Sequence, residues 1–201
     1  YIFMSEWKTV DVGVDPVYTV SIGSGLLRRC GALLRPMIAP CRMAVISDDT
    51  VAPLYADTVC DSLRRAGYGV CRWTFPAGEA HKNMTTLAAL LDFLAEQHLT
   101  RSDCVAALGG GVCGDMAGFA AGCYLRGIRC VQLPTTLLAA VDSSVGGKTA
   151  VDLPAGKNLA GLFWQPAAVL CYTDGLALLS DGAAEAGKTG VLSGAPIFSL
   201  V

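Results

Sequence analysis

Short, largely apolar runs recur along the chain and alternate with segments of helical pattern. The clearest runs are CRMAVIS (41–47), DCVAAL (103–108), IRCVQL (128–133) and AAVLCY (167–172). Strands that are apolar on both faces are typical of a parallel sheet covered by helices on its two sides. The sequence therefore predicts an α/β fold with a doubly wound, mostly parallel sheet, the architecture of a nucleotide-binding domain, over most of the chain.

Six other segments show strand-like or helical periodicity. They are predicted strands over 8–14, 17–22 and 69–75, and predicted helices over 24–35, 48–66 and 85–98. The third of these helices carries four leucines at helical spacing, which predicts a buried face. These are Leu87, Leu90, Leu91 and Leu94. A further helix is predicted after the glycine cluster that begins at Gly109.

The composition of the 201 residues excludes several functional classes. Hydrophobic residues make up 53% and charged residues 16%, so the chain can bury a large core and is not disordered. A net charge of −2, with the charges mixed along the chain, predicts no nucleic-acid partner. No apolar run has the length of a membrane span and the first residues lack a signal-peptide pattern, with Met4 expected to be the natural start. A cytoplasmic protein without membrane partners is therefore expected.

Nine cysteines are spread through apolar runs, and no C-x-x-C pair occurs among them. An odd number of dispersed cysteines does not suit a disulfide framework or a cysteine zinc site. The sequence predicts buried, reduced thiols, as in a cytosolic protein.

The first glycine-rich segment is LGGGVCGDMAG (108–118), which follows a predicted strand and precedes a predicted helix. Glycines in this position let backbone N–H groups approach a pyrophosphate at the helix N-terminus. The acidic residue that usually follows about 20 residues later to hold a ribose is missing. Asp48, at the end of an earlier strand, is the alternative for that role. The segment predicts a dinucleotide site, or else a tight turn without a ligand.

The second segment, DSSVGGKTAVDLPAGKN (142–158), concentrates polar side chains among glycines. Its polar residues are Asp142, Ser143, Ser144, Lys148, Lys157 and Asn158. In a chain with few charges, such a cluster predicts a site for a small anionic ligand. The alternative is a solvated surface loop.

The third segment, GAAEAGKTG (182–190), fits the phosphate-binding pattern G-x-x-x-x-G-K-[ST] letter for letter. A P-loop requires a strand before it and a later strand with a metal-binding carboxylate. The preceding residues are not strand-like, and only twelve residues follow Thr189. We interpret the match as accidental.

The run from 109 to 166 resembles the 3-dehydroquinate synthases, an NAD- and zinc-dependent family. PAGEAHK (76–82) and ISDD (46–49) resemble the same family, in the same order and at suitable spacing. The resemblance implies an NAD-binding domain over 8–174 and, over 175–201, the truncated start of a helical domain that binds metal and substrate. It also implies that most of this second domain is absent.

The resemblance implies a cofactor site made of residues from five segments. Asp48 would hold the adenosine ribose, and Glu79 and Lys82 would line the cofactor loop. The residues implied around the pyrophosphate and its neighbouring ribose are Gly110, Gly111, Val112 and Asp115. The remaining cofactor contacts implied are Thr135, Thr136, Leu138 and Lys157.

The resemblance also implies a substrate site and a dimer. Asp142, Lys148 and Asn158 would contact a sugar phosphate. Arg126 would reach into the neighbouring subunit's site, which implies a homodimer.

The segment GAAEAGKTG stands where this family has a metal-binding helix. Glu185 would bind the zinc or cobalt ion and Lys188 would contact the substrate, three residues apart on one helical face. The two zinc-binding histidines of the family have no counterpart here, since His81 and His98 are predicted to be surface residues. The chain alone is therefore expected to lack metal and turnover.

The implied reaction converts 3-deoxy-D-arabino-heptulosonate 7-phosphate to 3-dehydroquinate and phosphate, in the shikimate pathway to aromatic amino acids. NAD would take a hydride from C5 and return it, the metal would polarise the C5 oxygen, and lysines would hold the carboxylate and phosphate. Three alternatives remain open: a non-catalytic NAD-binding module, another sugar-phosphate cyclase, and a P-loop protein.

Overall fold

The structure, a computed structural model, describes residues 7–173. The strands in this part are β1 (Trp7–Val12), β2 (Tyr18–Gly23), β3 (Arg42–Asp48), β4 (Gly69–Phe75), β5 (Cys104–Gly109), β6 (Arg129–Pro134), β7 (Lys148–Leu153), β8 (Gly156–Phe163) and β9 (Ala168–Tyr172). The α-helices are α1 (Leu26–Leu34), α2 (Ala52–Arg65), α3 (Met84–Glu96) and α4 (Gly111–Cys123).

Seven strands form one sheet in the order β1-β2-β9-β6-β5-β3-β4. Every neighbouring pair is parallel except β1 and β2, which form an antiparallel pair at one edge. Helices α1 and α2 pack on one face of the sheet, and α3 and α4 pack on the other. This arrangement confirms the doubly wound, mostly parallel α/β fold.

The central strand β5 shows why these strands are apolar on both sides. Each of its six residues is buried. Ala106 and Leu108 belong to the core beneath α1 and α2, whereas Val105 and Ala107 belong to the core beneath α3 and α4. Burial of apolar surface on both faces contributes about 25 cal/mol per Å², and it requires this continuous apolar pattern.

Helix α3 begins at an asparagine N-cap and is followed at its C-terminal end by a residue with a left-handed backbone conformation. Its N-cap is Asn83, whose side chain accepts a hydrogen bond from Thr86 N at 3.0 Å. Its C-terminal end passes through His98, which has a left-handed φ of 53°. The predicted buried face is confirmed at Leu87, Leu90 and Leu94, while Leu91 is only half-buried.

Strands β7 and β8 form a separate antiparallel hairpin. Neither strand was predicted from the sequence. The hairpin packs on α4, so this helix is buried both by the sheet and by the hairpin. Small residues permit the close contact, since a Cβ on Gly118 would lie 2.5 Å from Thr149 Cγ2 and one on Gly122 would lie 2.6 Å from Leu162 Cδ1.

The nine cysteines are free thiols, and six of them are buried. The prediction of burial is wrong for Cys41 and Cys71, which are half-buried, and for Cys123, which is exposed. Burial raises the pKa of Cys30 to about 11 and that of Cys130 to about 12, so these thiols stay protonated. Among the described helices, none is long and apolar enough to span a membrane.

We expect His98→Gly to raise the free energy of unfolding by about 0.5 to 1 kcal/mol. A side chain at a left-handed residue after a helix is strained, and glycine removes that strain. The matched control is Gln97→Gly, at a φ of −78°, which should instead lower the stability by about 0.5 to 1 kcal/mol. Urea unfolding of the three proteins measures both effects, and a loss of stability in His98→Gly would contradict the strain.

Asp103 is a buried carboxylate, 7% exposed, at the amino end of the sheet. Burial acts to raise its pKa, but hydrogen bonds from Thr100 N, the Thr100 hydroxyl and Arg42 N outweigh this and lower it below its ordinary 3.8. A lowered pKa in the folded chain means that the carboxylate stabilises the fold above the unfolded pKa. This contribution is lost as the pH falls through the folded pKa.

We expect Asp103→Asn to lower the free energy of unfolding by about 1.5 to 3 kcal/mol at about pH 7. The difference from the unsubstituted chain should start to shrink below about pH 3.8, the ordinary pKa, and be lost as the pH falls through the lower folded pKa, where the wild-type carboxyl group is protonated and uncharged. Urea unfolding over a pH series tests this. The control is Asp92→Asn on the exposed face of α3. A pH-independent difference for Asp103→Asn would contradict a lowered pKa of Asp103 in the folded chain.

Candidate functional site

The predicted cofactor residues gather at the carboxyl edge of the parallel strands. β3 ends at Asp48, β5 ends at Gly109 and β6 leads into Thr135. Thr135 N donates to the carbonyl of Gly109 at 3.0 Å, and Asp48 Oδ2 lies 3.5 Å from where a Cβ on Gly109 would stand. In open α/β sheets, ligands bind in the crevice at this edge.

The turn from Gly109 to Gly111 leaves little room for side chains. A Cβ on Gly110 would lie 3.3 Å from Thr136 Cγ2, and one on Gly111 would lie 3.0 Å from Ser143 Oγ. Helix α4 begins at Gly111, and Val112 follows it in the first turn, so backbone N–H groups without intrahelical partners face the crevice. This bare helix N-terminus fits the diphosphate of a dinucleotide.

Buried hydroxyl groups around this turn also fit a polar ligand. Thr135 Oγ1, Ser143 Oγ and Ser144 Oγ are inaccessible and have no hydrogen-bond partner within residues 7–173. An unpaired buried hydroxyl costs about 1 to 3 kcal/mol, which a bound ligand with polar atoms would offset. Thr135 was predicted as a cofactor contact, whereas Ser143 was only noted as part of the polar segment next to Asp142.

The other predicted contacts after β6 lie on the same side of the turn. The Thr136 hydroxyl accepts a hydrogen bond at 3.2 Å from the N–H of Ala139, the first residue of the short π-helical turn Ala139–Ser143. Leu138, just before this turn, is 61% exposed. An exposed leucine beside a crevice is suited to contact the flat face of a ring.

One of the two carboxylate oxygens of Asp48 accepts hydrogen bonds from the neighbouring backbone. Its Oδ1 accepts hydrogen bonds from Thr50 N at 2.9 Å and Val51 N at 2.8 Å, which fixes the entry into α2. Its Oδ2, beside Gly109, remains available to accept hydrogen bonds from a ribose.

Lys82 has a more central position than its predicted role in the cofactor loop suggested. Its side chain is buried, and Nζ donates to Asp115 Oδ2 at 2.5 Å and to Asn158 Oδ1 at 2.6 Å. Burial raises the pKa of Asp115, while the hydrogen bond and charge of Lys82 act to lower it. Lys82 therefore joins residues that had been assigned separately, Asp115 to the cofactor and Asn158 to the substrate.

A second ion pair lies nearer the surface. Lys157 Nζ and Glu79 Oε1 are 3.3 Å apart, with Lys157 mostly exposed. Glu79 lies in the 3₁₀ turn Glu79–His81, so this pair connects the loop after β4 to the hairpin. Exposed pairs of this kind contribute about 0 to 1 kcal/mol.

A cleft of about 440 Å³ opens between α4 and the hairpin. All three predicted substrate contacts, Asp142, Lys148 and Asn158, line it together with Asp115. The exposed Phe163 of β8 forms part of its wall. A cleft with carboxylates, an amide and an ammonium group fits a small polyhydroxylated anion.

Arg126 does not line this cleft. It lies in the turn Tyr124–Arg126 at the other end of α4, where Leu125 has a φ of 51° and Arg126 a φ of 64°. The next residue, Gly127, packs against Trp164, since a Cβ there would lie 2.2 Å from the indole. Two consecutive left-handed residues at an exposed turn are a strained arrangement, of the kind that occurs at functional sites.

The metal predictions fall mainly on residues beyond those the structure describes. Glu185 and Lys188, with the whole segment 182–190, lie outside residues 7–173. Within that part, no three His, Cys, Asp or Glu side chains are grouped to hold a metal ion. His81 is half-buried and His98 is exposed. The described residues thus fit a dinucleotide and do not by themselves form a zinc site.

Comparisons with known proteins identify the family of the chain. Residues 72–186 match the family described as 3-dehydroquinate synthase N-terminal. A 3-dehydroquinate synthase of Geobacter metallireducens is 47% identical over 201 residues, which are 98% of this chain and 56% of that protein. The chain spans about half the length of the curated relatives it matches.

Solved structures of similar fold include two synthases with bound NAD⁺ and a metal ion. A 2-deoxy-scyllo-inosose synthase complexed with carbaglucose-6-phosphate, NAD⁺ and Co²⁺ is 29% identical, with a TM-score of 0.82 over 90% of this chain and 49% of that one. A 2-epi-5-epi-valiolone synthase from Streptomyces hygroscopicus with NAD⁺ and Zn²⁺ bound is 28% identical, with a TM-score of 0.75 over 85% of this chain and 47% of that one.

We expect Lys82→Met to lower the free energy of unfolding by about 2 to 3 kcal/mol, because it leaves the Asp115 carboxylate in the cleft wall without its cation. The pKa of Asp115 should rise further, since Lys82 acts to lower it. Urea unfolding and an NMR titration of the Asp115 carboxyl carbon measure these effects.

The control for Lys82→Met is Glu79→Gln, which removes the exposed ion pair with Lys157 and should change the stability by less than about 1 kcal/mol. The double variant Lys82→Met, Asp115→Asn should recover part of the lost stability. An unchanged Asp115 pKa in Lys82→Met would show that the two groups are not coupled.

Proposed function

Because the chain belongs to the 3-dehydroquinate synthase family, we propose that it supplies the NAD-binding part of a 3-dehydroquinate synthase. The reaction is the conversion of 3-deoxy-D-arabino-heptulosonate 7-phosphate to 3-dehydroquinate and phosphate, a carbon–oxygen lyase reaction. The observation that carries the proposal is the position of the cleft. Asp142, Lys148 and Asn158 line a polar pocket that also contains Asp115, from the first turns of the α4 helix that begins at the glycine turn.

The cofactor side of the site is assigned to the carboxyl edge of the sheet. Asp48 Oδ2 accepts from the adenosine ribose, and the N–H groups at Gly110, Gly111 and Val112 bind the diphosphate. The Thr135 hydroxyl, buried and unpaired within the described chain, supplies a further hydrogen bond. When bound, NAD supplies a hydride acceptor that is regenerated within the cycle.

The substrate side is assigned to the cleft. Lys148, exposed at the start of β7, binds an anionic group of the sugar phosphate. Asp142 accepts hydrogen bonds from hydroxyl groups, and the Asn158 amide can both donate and accept. The Lys82 ammonium neutralises Asp115 in the wall, which reduces the repulsion between this wall and a dianionic phosphate.

A divalent metal, zinc or cobalt, is part of this proposal through Glu185 and the relatives of known structure. Those two synthases hold Co²⁺ and Zn²⁺, respectively. Residues 7–173 contain no grouping that would hold the ion, so its ligands are assigned to Glu185 and to parts of the protein beyond the described residues. Lys188, three residues after Glu185 in the sequence, is assigned to the substrate.

A cytoplasmic homodimer is proposed as the assembly. The support is the strained, exposed turn that carries Leu125 and Arg126, since strain of this kind is retained where a side chain must be displayed at a fixed angle. Arg126 lies outside its own chain's cleft, so a second subunit is where its guanidinium would act.

Two other functions have some support. A sugar-phosphate cyclase with another substrate is favoured by the likeness to the 2-deoxy-scyllo-inosose synthase, although at lower identity than to the 3-dehydroquinate synthase of Geobacter metallireducens. A non-catalytic NAD-binding module is favoured by the lack of a metal grouping in residues 7–173. Release of phosphate from the heptulosonate phosphate, with NAD and zinc present, separates the leading proposal from both.

We expect calorimetric titration to show binding of NAD⁺ by the chain and at least about tenfold weaker binding of ATP, because the glycine turn and Asp48 suit a dinucleotide. Asp48→Asn keeps an oxygen for Thr50 N and Val51 N but loses the second carboxylate oxygen. It should weaken NAD⁺ binding about tenfold, the factor that corresponds to about 1.4 kcal/mol.

Asp57→Ala is the control for this titration, since Asp57 pairs with Arg72 at the surface of α2, away from the site. It should leave the NAD⁺ affinity unchanged. Binding of ATP without NAD⁺ would overturn the proposal. Binding of NAD⁺ without phosphate release by this chain alone would fit both the leading proposal, which assigns metal ligands beyond residues 7–173, and the NAD-binding module.

A further inference from the structure

The hairpin is irregular at Asp152, which contacts residues of the proposed site without lining its cleft. Leu153 pairs with Gly156 and Val151 pairs with Ala160, so the register shifts between the two pairs. Three residues of β8 therefore stand opposite the single residue Asp152. A bulge of this kind bends the strand and re-aims its side chains, and bulges are frequent next to active sites.

Asp152 has no backbone pairing partner in β8, and its side chain forms a hydrogen bond to that strand instead. Its Oδ1 accepts a hydrogen bond from Asn158 N at 2.8 Å. Asn158 itself has a left-handed φ of 56°, a conformation that a residue other than glycine adopts only with a cost. The carboxylate thus holds Asn158 in a backbone conformation that the strand alone would not stabilise.

The backbone of Asp152 makes a second connection, to the loop before α3. Asp152 N donates to the carbonyl of Lys82 at 2.8 Å, and a parallel bridge joins Asp152 to Asn83. One residue therefore fixes both the segment that carries Lys82 and the bulge that carries Asn158.

These two connections determine the hydrogen bonds of the buried Lys82 ammonium group. With both segments fixed, Asn158 Oδ1 accepts from Lys82 Nζ at 2.6 Å, and the same ammonium group is bound to Asp115. Asp152 is absent from the lining of the cleft, so it acts on the site through Asn158 and Lys82.

We propose that Asp152 is a positioning residue, whose carboxylate holds Asn158 in its left-handed conformation and thereby directs the Asn158 amide to Lys82. The claim that Asp152 fixes the position of Asn158 is independent of the proposed function. Its effect on NAD⁺ binding rests on the proposed function, in which Lys82 and Asp115, both joined to the Asn158 amide through the Lys82 ammonium group, are cofactor contacts.

The first experiment measures hydrogen exchange of the Asn158 backbone amide by NMR in the 201-residue chain. Asp152→Ala removes the acceptor and should accelerate this exchange by about tenfold or more relative to amides elsewhere in the hairpin. Asp152→Asn keeps a carbonyl oxygen in place and should change it by less than about threefold. Equal exchange in Asp152→Ala and the unsubstituted chain would overturn the proposal.

The second experiment is a double-mutant cycle on NAD⁺ affinity, measured by calorimetry. Asp152→Ala should weaken binding about three- to tenfold, and Asp152→Asn should retain most of the affinity. Asn158→Gly removes the amide but keeps a residue that tolerates the left-handed φ. In that background, Asp152→Ala should have an effect below about twofold, because its route through the amide is gone.

Additive effects of Asp152→Ala and Asn158→Gly would show that Asp152 acts only as a structural residue, which contradicts the proposal. Asp92→Ala on the exposed face of α3 is the control for loss of a carboxylate. If Asp152→Ala unfolds, Asp152→Ser, with its shorter polar side chain, takes its place in both experiments. Failure of the unsubstituted chain to bind NAD⁺ would count against the proposed function alone, since the exchange experiment still decides the position of Asn158.

Discussion

The close contact between α4 and the β7–β8 hairpin is the constraint on which the rest of the site depends. Gly118 and Gly122 face Thr149 and Leu162 at distances that leave no space for a Cβ. Because the hairpin lies this near to the helix, Asn158 reaches the ammonium group that is also bound to Asp115 of α4. The same helix begins at the glycine turn, so one element sets the distance between the proposed cofactor side and the proposed substrate side.

Placing a buried ammonium group at this junction has both a cost and a use. Desolvation of a charge costs several kcal/mol, which only good geometry and several hydrogen bonds can offset. Lys82 meets this requirement with one carboxylate and one amide oxygen, from two different elements. An apolar residue at this place would pack with less directional preference. The main contribution of the ion pair is therefore to fix a single arrangement of loop, helix and hairpin, rather than to add to the free energy of unfolding.

The sequence predicted the main sheet well because its strands are buried on both faces, and only continuous apolar runs satisfy that environment. β5 and the glycine turn before α4 are the clearest cases. The hairpin was not predicted, because β8 reads GKNLAGLF and most of its residues are exposed, so neither an apolar run nor a strict alternation marks it. The partners of Lys82 and the role of Asp152 depend on a bulge and on contacts between distant segments, which no local pattern encodes.

The order of strands has a consequence for the sequence of events in folding. β2 lies between β1 and β9, and Thr19 pairs with Ala168. The first two strands can form a hairpin early, but they join the main sheet only after the last described strand has been synthesised. The strands β3 to β6, by contrast, pair with neighbours nearer in the chain and can assemble while synthesis continues. During synthesis, the edges of β2 and β6 that pair with β9 can be covered by it only after residues 168–172 have been made.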